Sequence, residues 1–90
     1  TAKEFNESMK NAGKIIVAIE NNVASQPLAA RPLPLHAVFV FGQEGPGVSA
    51  EMLSLADMTI HIEQLGSTRS VNVGVASGIA MYEWLRQHRL

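Results

Sequence analysis

Ninety residues can form one small domain and no more, and 47% hydrophobic against 17% charged residues is the composition of a folding chain, not a disordered one. A net charge of −1 gives no global positive field to draw in nucleic acid, although a local basic patch stays open. With no cysteine, disulfides, thiolate metal sites and thiol nucleophiles are excluded, and a reducing interior such as the cytoplasm is compatible.

The chain opens on Thr1, not methionine, and runs directly into helical pattern, so it is expected to be the C-terminal part of a longer protein. A domain this small is marginal alone, and support from a partner subunit or from more of its own chain is expected. No apolar run approaches the roughly 20 residues needed to span a bilayer, and no signal peptide is visible. Ala2, Phe5, Met9 and Ala12 recur at helical spacing among charged and polar residues, and Gly13 is placed to end that helix in a left-handed cap. Ile15 to Ile19 is a β-branched run without alternation, as expected of a strand covered on both faces in a parallel sheet.

Between Asn21 and Leu35, Pro27, Pro32 and Pro34 rule out a long crossover helix and leave room for one helical turn followed by extended chain. Ala37 to Phe41 reads as a second buried strand of the same kind as the first. The loop FGQEGPGVS follows, and Ser49 is a good N-cap for a short helix through Met52, Leu53 and Leu55. Met58, Ile60 and Ile62 alternate with Thr59 and His61, which predicts a third strand nearer an edge. Glu63 to Arg69 is a loop, and Ser70 to His88 is the longest helical pattern, with Gly74, Ala76, Gly78 and Ala80 small enough for close backbone approach. No internal repeat or linker interrupts the chain. The order of elements predicts one α/β domain, residues 1–90, with a mostly parallel sheet flanked by helices.

Ligands of open α/β sheets bind beyond the carboxyl ends of the strands, where two loops fit: Gly42 to Gly47 and Glu63 to Arg69. Glycines there let backbone groups reach a ligand. A glycine loop entering a helix often holds phosphate, but the carboxylate of Glu44 repels an anion and favours a neutral or cationic ligand. The same features have plainer readings. Glycine turns follow strands in many proteins without a ligand, and Glu44 could cap the next helix or pair with Arg69. Ser70 could be only an N-cap, and Asn72 a solvated first-turn residue. His36, His61 and His88 lie in different elements without metal-ligand spacing, so no metal is expected. Neither a Walker lysine nor a GxSxG elbow is present. Tyr82 and Trp84 suit core or subunit interface better than base stacking.

Together the two loops carry a resemblance. Phe41-Gly42-Gln43-Glu44-Gly45-Pro46-Gly47-Val48-Ser49 resembles the second signature motif, FGxExxGxS, of the SpoU (TrmH-like) RNA ribose methyltransferases. Asp57 stands where that family usually has an aspartate, and Ile62 and Gly66 match its I-P-M-x-G stretch. Ser70-Val71-Asn72-Val73-Gly74-Val75-Ala76 is similar to its third motif, S-L-N-V-S-V-A, and Ile79 to Gln87 is similar to its closing helix. The resemblance is dense from Ala37 to Gln87 and looser from Lys14 to Glu20.

The resemblance implies the SPOUT class, an α/β fold whose C-terminal part is tied in a deep trefoil knot, a topology that periodicity cannot suggest. It implies S-adenosylmethionine bound within the knot loops, with Gly42, Ile62, Ser70 and Val71 lining the site and Phe41 and Leu65 beside it. It further implies methyl transfer to a ribose 2′-hydroxyl of tRNA or rRNA by a homodimer, with Ser70 and Asn72 positioning the reacting groups and Glu44 organising the site. Arg69 is placed to contact RNA phosphate, or equally to be a surface residue or pair with Glu44. Two departures stand out. Nothing in Thr1 to Glu20 matches the family's first motif, and Glu63-Gln64 replaces its usual Pro-Met. The two departures keep a second reading open: a non-catalytic knotted module for cofactor binding, dimerisation or RNA docking. A generic phosphate-binding nucleotide domain is a third, against which Glu44 and the missing loop lysine count.

Overall fold

In the computed structural model, which describes residues 1–22, 24–42, 46–63 and 73–90, strand β1 (Ile15–Ile19) lies inside a four-stranded sheet. Its run lacks alternation because both faces are covered: Ile16, Val17 and Ala18 are each exposed by 1% or less. The other strands are β2 (Gln26–Pro27), β3 (Ala37–Phe41) and β4 (Met58–His61). Their order is β2-β4-β1-β3 and each neighbouring pair is parallel, with Ile15 opposite Ala37, Val17 opposite Met58 and Gln26 opposite Ile60. The predicted parallel α/β fold is thus observed.

Helices cover the sheet on two sides. Helix α1 (Ala2–Asn11) starts in a capping box between Thr1 and Glu4 and gives way at Gly13, whose φ of +73° supplies the expected left-handed turn. Its apolar residues Phe5 and Met9 join helix α2 (Ala50–Leu55) in packing around Ile16, Val48 and Met52. Helix α3 (Val73–His88) covers the opposite face, where Val17, Leu28, Leu33 and Ile60 form a second cluster with Phe39 and Trp84 against it. Adjacent residues of β1 therefore serve opposite cores, as the pleat requires.

Two expectations need correction. β3 is not a fully buried strand of the same kind as β1; it is the outer strand of the described sheet, and all five of its residues are half-buried. β4 is not near an edge but lies between β1 and β2. Its alternation arises because Ile60 faces the α3 core while Thr59 and His61 face a thinner covering. Between Asn21 and Leu35 the single helical turn is present as a 3-10 turn (Leu28–Ala30) with Arg31 extended after it, but the two-residue strand β2 before it was not foreseen. Pro27 is tolerated in β2 because that strand has a neighbour on one side only. Residues 70–72 of the predicted closing helix and 64–69 of the loop after β4 lie outside the described residues.

Asp57, which the resemblance singled out, acts as a clamp. Its carboxylate accepts the Ile16 N–H at 2.7 Å, and its own N–H donates to the Ile16 carbonyl at 2.9 Å. Both ends of one peptide position in β1 are thereby tied to the start of β4.

Candidate functional site

Since the strands are parallel, Glu20, Leu28, Gly42 and Ile62 leave the sheet at the same carboxyl edge, the place where sheets of this kind hold ligands. Phe41 closes β3 and its ring lies 6.4 Å from that of Phe39. Gly42 is pressed against the returning limb of its own loop: a Cβ at this position would overlap the Gly47 carbonyl group and the Val48 nitrogen. Only glycine permits that closure. Gly47 adopts φ +75° and lies against the Glu20 side chain, so a Cβ there would collide with the carboxylate.

Glu20 is the functional candidate that the sequence did not announce. It is the first residue beyond β1, its N–H donates to the Ile60 carbonyl at 2.9 Å, and its Oε1 accepts the Val48 N–H at 2.7 Å. Val48 then enters the core and Ser49 caps α2 through the Met52 N–H at 3.2 Å, so the predicted cap is present. A phosphate cradle needs free N–H groups at this helix entry. Here the Val48 N–H is already satisfied by a carboxylate, which supports the sequence argument against an anionic ligand without using Glu44.

Ile62, half-buried, follows β4 and lines an open groove of about 740 Å³ between the 3-10 turn and α3. Leu28, Ala29, Glu63, Ile79 and Tyr82 also line it. The Glu63 carboxylate accepts the Ala29 N–H at 3.4 Å, which ties the end of β4 to the turn after β2. Gly78 faces this open side, and a Cβ there would meet nothing within 4 Å, whereas Ala76 and Ala80 are the helix residues buried on the sheet. The close approach expected of the small residues thus occurs within the chain at the alanines and not at Gly78.

Of the predicted site residues, Phe41, Gly42 and Ile62 are brought to this edge. Glu44, Leu65, Arg69, Ser70, Val71 and Asn72 lie outside the described residues. The described histidines stay apart: His88 Nε2 donates to the Leu33 carbonyl at 2.7 Å, and His61 Nδ1 lies 2.9 Å from Ser25 Oγ. The Ser25 hydroxyl donates to the Asn22 carbonyl at 2.7 Å, which leaves its oxygen to accept from His61. Among the described residues no three His, Asp or Glu side chains gather to hold a metal ion, and no helix is long and apolar enough to cross a membrane.

A parallel sheet with a glycine loop and a helix entry at its carboxyl edge is an α/β domain of the architecture that commonly holds ligands at that edge. Comparison with known proteins makes the class specific: the SpoU rRNA methylase family model matches residues 1–82, and the chain belongs to that family. A tRNA (guanosine(18)-2′-O)-methyltransferase of Borreliella burgdorferi is 36% identical over 88 residues, which are 98% of this chain and 40% of that protein. The crystal structure of the Aquifex aeolicus TrmH/SpoU tRNA modifying enzyme superposes with a TM-score of 0.84 at 35% identity, covering 97% of this chain and 44% of that one. The SpoU methyltransferase AviRb of Streptomyces viridochromogenes, solved in complex with AdoMet, shares the fold with a TM-score of 0.75 at 24% identity, over 94% of this chain and 34% of its own. The chain therefore spans less than half the length of each of these proteins.

Proposed function

We propose that the carboxyl edge of the sheet is the methyl-donor site of an RNA 2′-O-ribose methyltransferase, acting on tRNA or rRNA. The observation that carries this reading is the closed loop at Gly42, Gly47 and Val48, whose glycine backbone stands at the carboxyl edge of the sheet, with the apolar Ile62 leaving β4 at the same edge on the other side of β1. Family membership and the names of the relatives support it. The residues fit the cofactor: the loop offers backbone groups and an apolar wall, and the helix entry is closed to phosphate by Glu20. When bound, S-adenosylmethionine supplies a methyl group activated by its sulfonium charge, which leaves alignment and removal of a weakly acidic hydroxyl proton to the protein. Phe41, Gly42 and Ile62, with Leu65, Ser70 and Val71, hold the donor in this reading. Ser70 and Asn72 align the ribose, Glu44 orders the loop, and Arg69 meets RNA phosphate.

The C-terminal part is threaded as a trefoil knot, the active form is a homodimer, and the compartment is the cytoplasm. The outer face of α3 supports the dimer, because Val75, Ile79, Met81, Tyr82 and Leu85 are all exposed there and Gly78 leaves room beside them. Apolar side chains grouped in this way are a usual mark of an interface. The deciding experiment offers the intact protein tritiated S-adenosylmethionine and mixed tRNA and rRNA, then digests the RNA to nucleosides. The reading expects label in 2′-O-methylated nucleosides. Donor binding without any transfer would favour the non-catalytic module that the unmatched first motif keeps in view.

A further inference from the structure

We propose that Glu20 is a positioning residue of the donor site, a strut whose carboxylate holds the Gly47–Val48 peptide in place and so sets the shape of the loop around the ligand. The inference rests on the donor-site reading above, but its structural grounds are independent of it. Glu20 directly follows the most buried strand of the sheet: β1 is hydrogen-bonded on both sides, and Val17 and Ala18 are fully buried. Its own N–H is fixed to Ile60, so the root of the side chain does not move with the loop. From there Oε1 takes the Val48 N–H at 2.7 Å, a contact between residues 28 apart in sequence.

Gly42 and Gly47 complete the arrangement. The Gly47–Val48 peptide has two close neighbours, Gly42 and the Glu20 carboxylate: a Cβ at Gly42 would overlap the peptide, and one at Gly47 would overlap the carboxylate. The peptide is therefore clamped between the ends of two adjacent strands, β1 and β3. Without the carboxylate, Val48 loses the acceptor for an N–H in a residue that is itself 7% exposed. An unmet donor in such a place costs enough to open the loop. The role needs an acceptor oxygen at the end of a side chain of this length. It does not need a negative charge, and this sets the test.

Glu20→Ala and Glu20→Gln are compared with the wild type in the intact protein by calorimetry with S-adenosylhomocysteine and by hydrogen exchange at the Val48 amide. Glu20→Gln keeps a carbonyl acceptor at the same reach. The strut predicts that Glu20→Ala speeds Val48 exchange and weakens binding by roughly tenfold or more, the equivalent of one unmet buried hydrogen bond. It predicts that Glu20→Gln restores slow exchange and binding to within about threefold of wild type. Unchanged exchange and affinity in Glu20→Ala would overturn the proposal. So would equal loss of binding in both variants with slow exchange kept, since the charge would then be touching the ligand directly. If the wild type itself binds no S-adenosylhomocysteine, the donor-site reading fails, and the Val48 exchange still decides whether Glu20 is the strut.

Discussion

The two edges of the sheet are held together by opposite means. At the carboxyl edge, backbone meets backbone: Gly42 lies against the Gly47–Val48 peptide, and a single side chain, Glu20, fixes the contact. At the amino edge, side chains of α3 grip the proline-rich segment that leads into β3. Trp84 Nε1 is shared between the Pro34 and Leu35 carbonyls at 3.1 and 3.2 Å, Gln87 bonds Leu33 N–H at 2.7 Å and the Arg31 carbonyl at 3.1 Å, and His88 holds the Leu33 carbonyl. Prolines leave carbonyls without matching N–H groups, so a helix that brings donors is the natural partner for such a segment. The difference separates a structural edge from the proposed donor edge: the amino edge is filled by its own side chains, whereas the carboxyl edge spends no side-chain bulk at Gly42 and Gly47.

Substitutions that act on one edge alone should break this contrast. The largest effect is expected for Gly42→Val, whose branched side chain must displace the Gly47–Val48 peptide. It should cost about 1–3 kcal/mol of stability, and calorimetry should find binding of S-adenosylhomocysteine abolished. Gln87→Ala should cost a similar or smaller amount, about 1–3 kcal/mol for the polar groups left unmet, with donor affinity unchanged; denaturant unfolding and calorimetry on one sample check both halves. Equal loss of binding in both variants would erase the distinction between the edges.

Ile79→Glu bears on a third surface, the open side of α3. It should shift the proposed dimer to monomer in sedimentation while circular dichroism still reports the native fold, because Ile79 is 39% exposed within the chain; the melting temperature should fall only by what association contributes. The smallest expected effect belongs to Glu83. Arg86 in a two-pronged contact at 2.7 and 2.8 Å, and then Gln87, hold its carboxyl down from 4.5 to about 2. A carboxylate with a lowered folded pKa adds stability above pH 4.5 and loses it as the pH falls toward 2. Glu83→Gln should flatten that part of the stability profile, measured by unfolding at stepped pH, and leave the profile near neutrality unaltered in shape.

How much of this was legible in the sequence differs between the same regions. β1 was readable because burial on both faces leaves its signature in consecutive residues. Gly13 and Ser49 were readable because caps are local chemistry. The interior place of β4 was not, because it depends on pairing with β2, and Gln26–Pro27 carries no strand pattern of its own. At the carboxyl edge the motif exposed Gly42 and Ile62, but Glu20 looked like any acidic residue after a strand. Its partner lies on the far limb of another strand's loop, a distance that neither periodicity nor spacing spans.

In the proposed function the carboxyl edge, and not the amino edge, holds the methyl donor, and amide chemical shifts of the intact protein titrated with S-adenosylhomocysteine distinguish the two. Saturable changes are expected at Gly42, Gly47, Val48 and Ile62, with Leu33, Leu35 and Gln87 still. Changes confined to the proline-rich segment and the end of α3, or none at saturating ligand, would place the donor elsewhere.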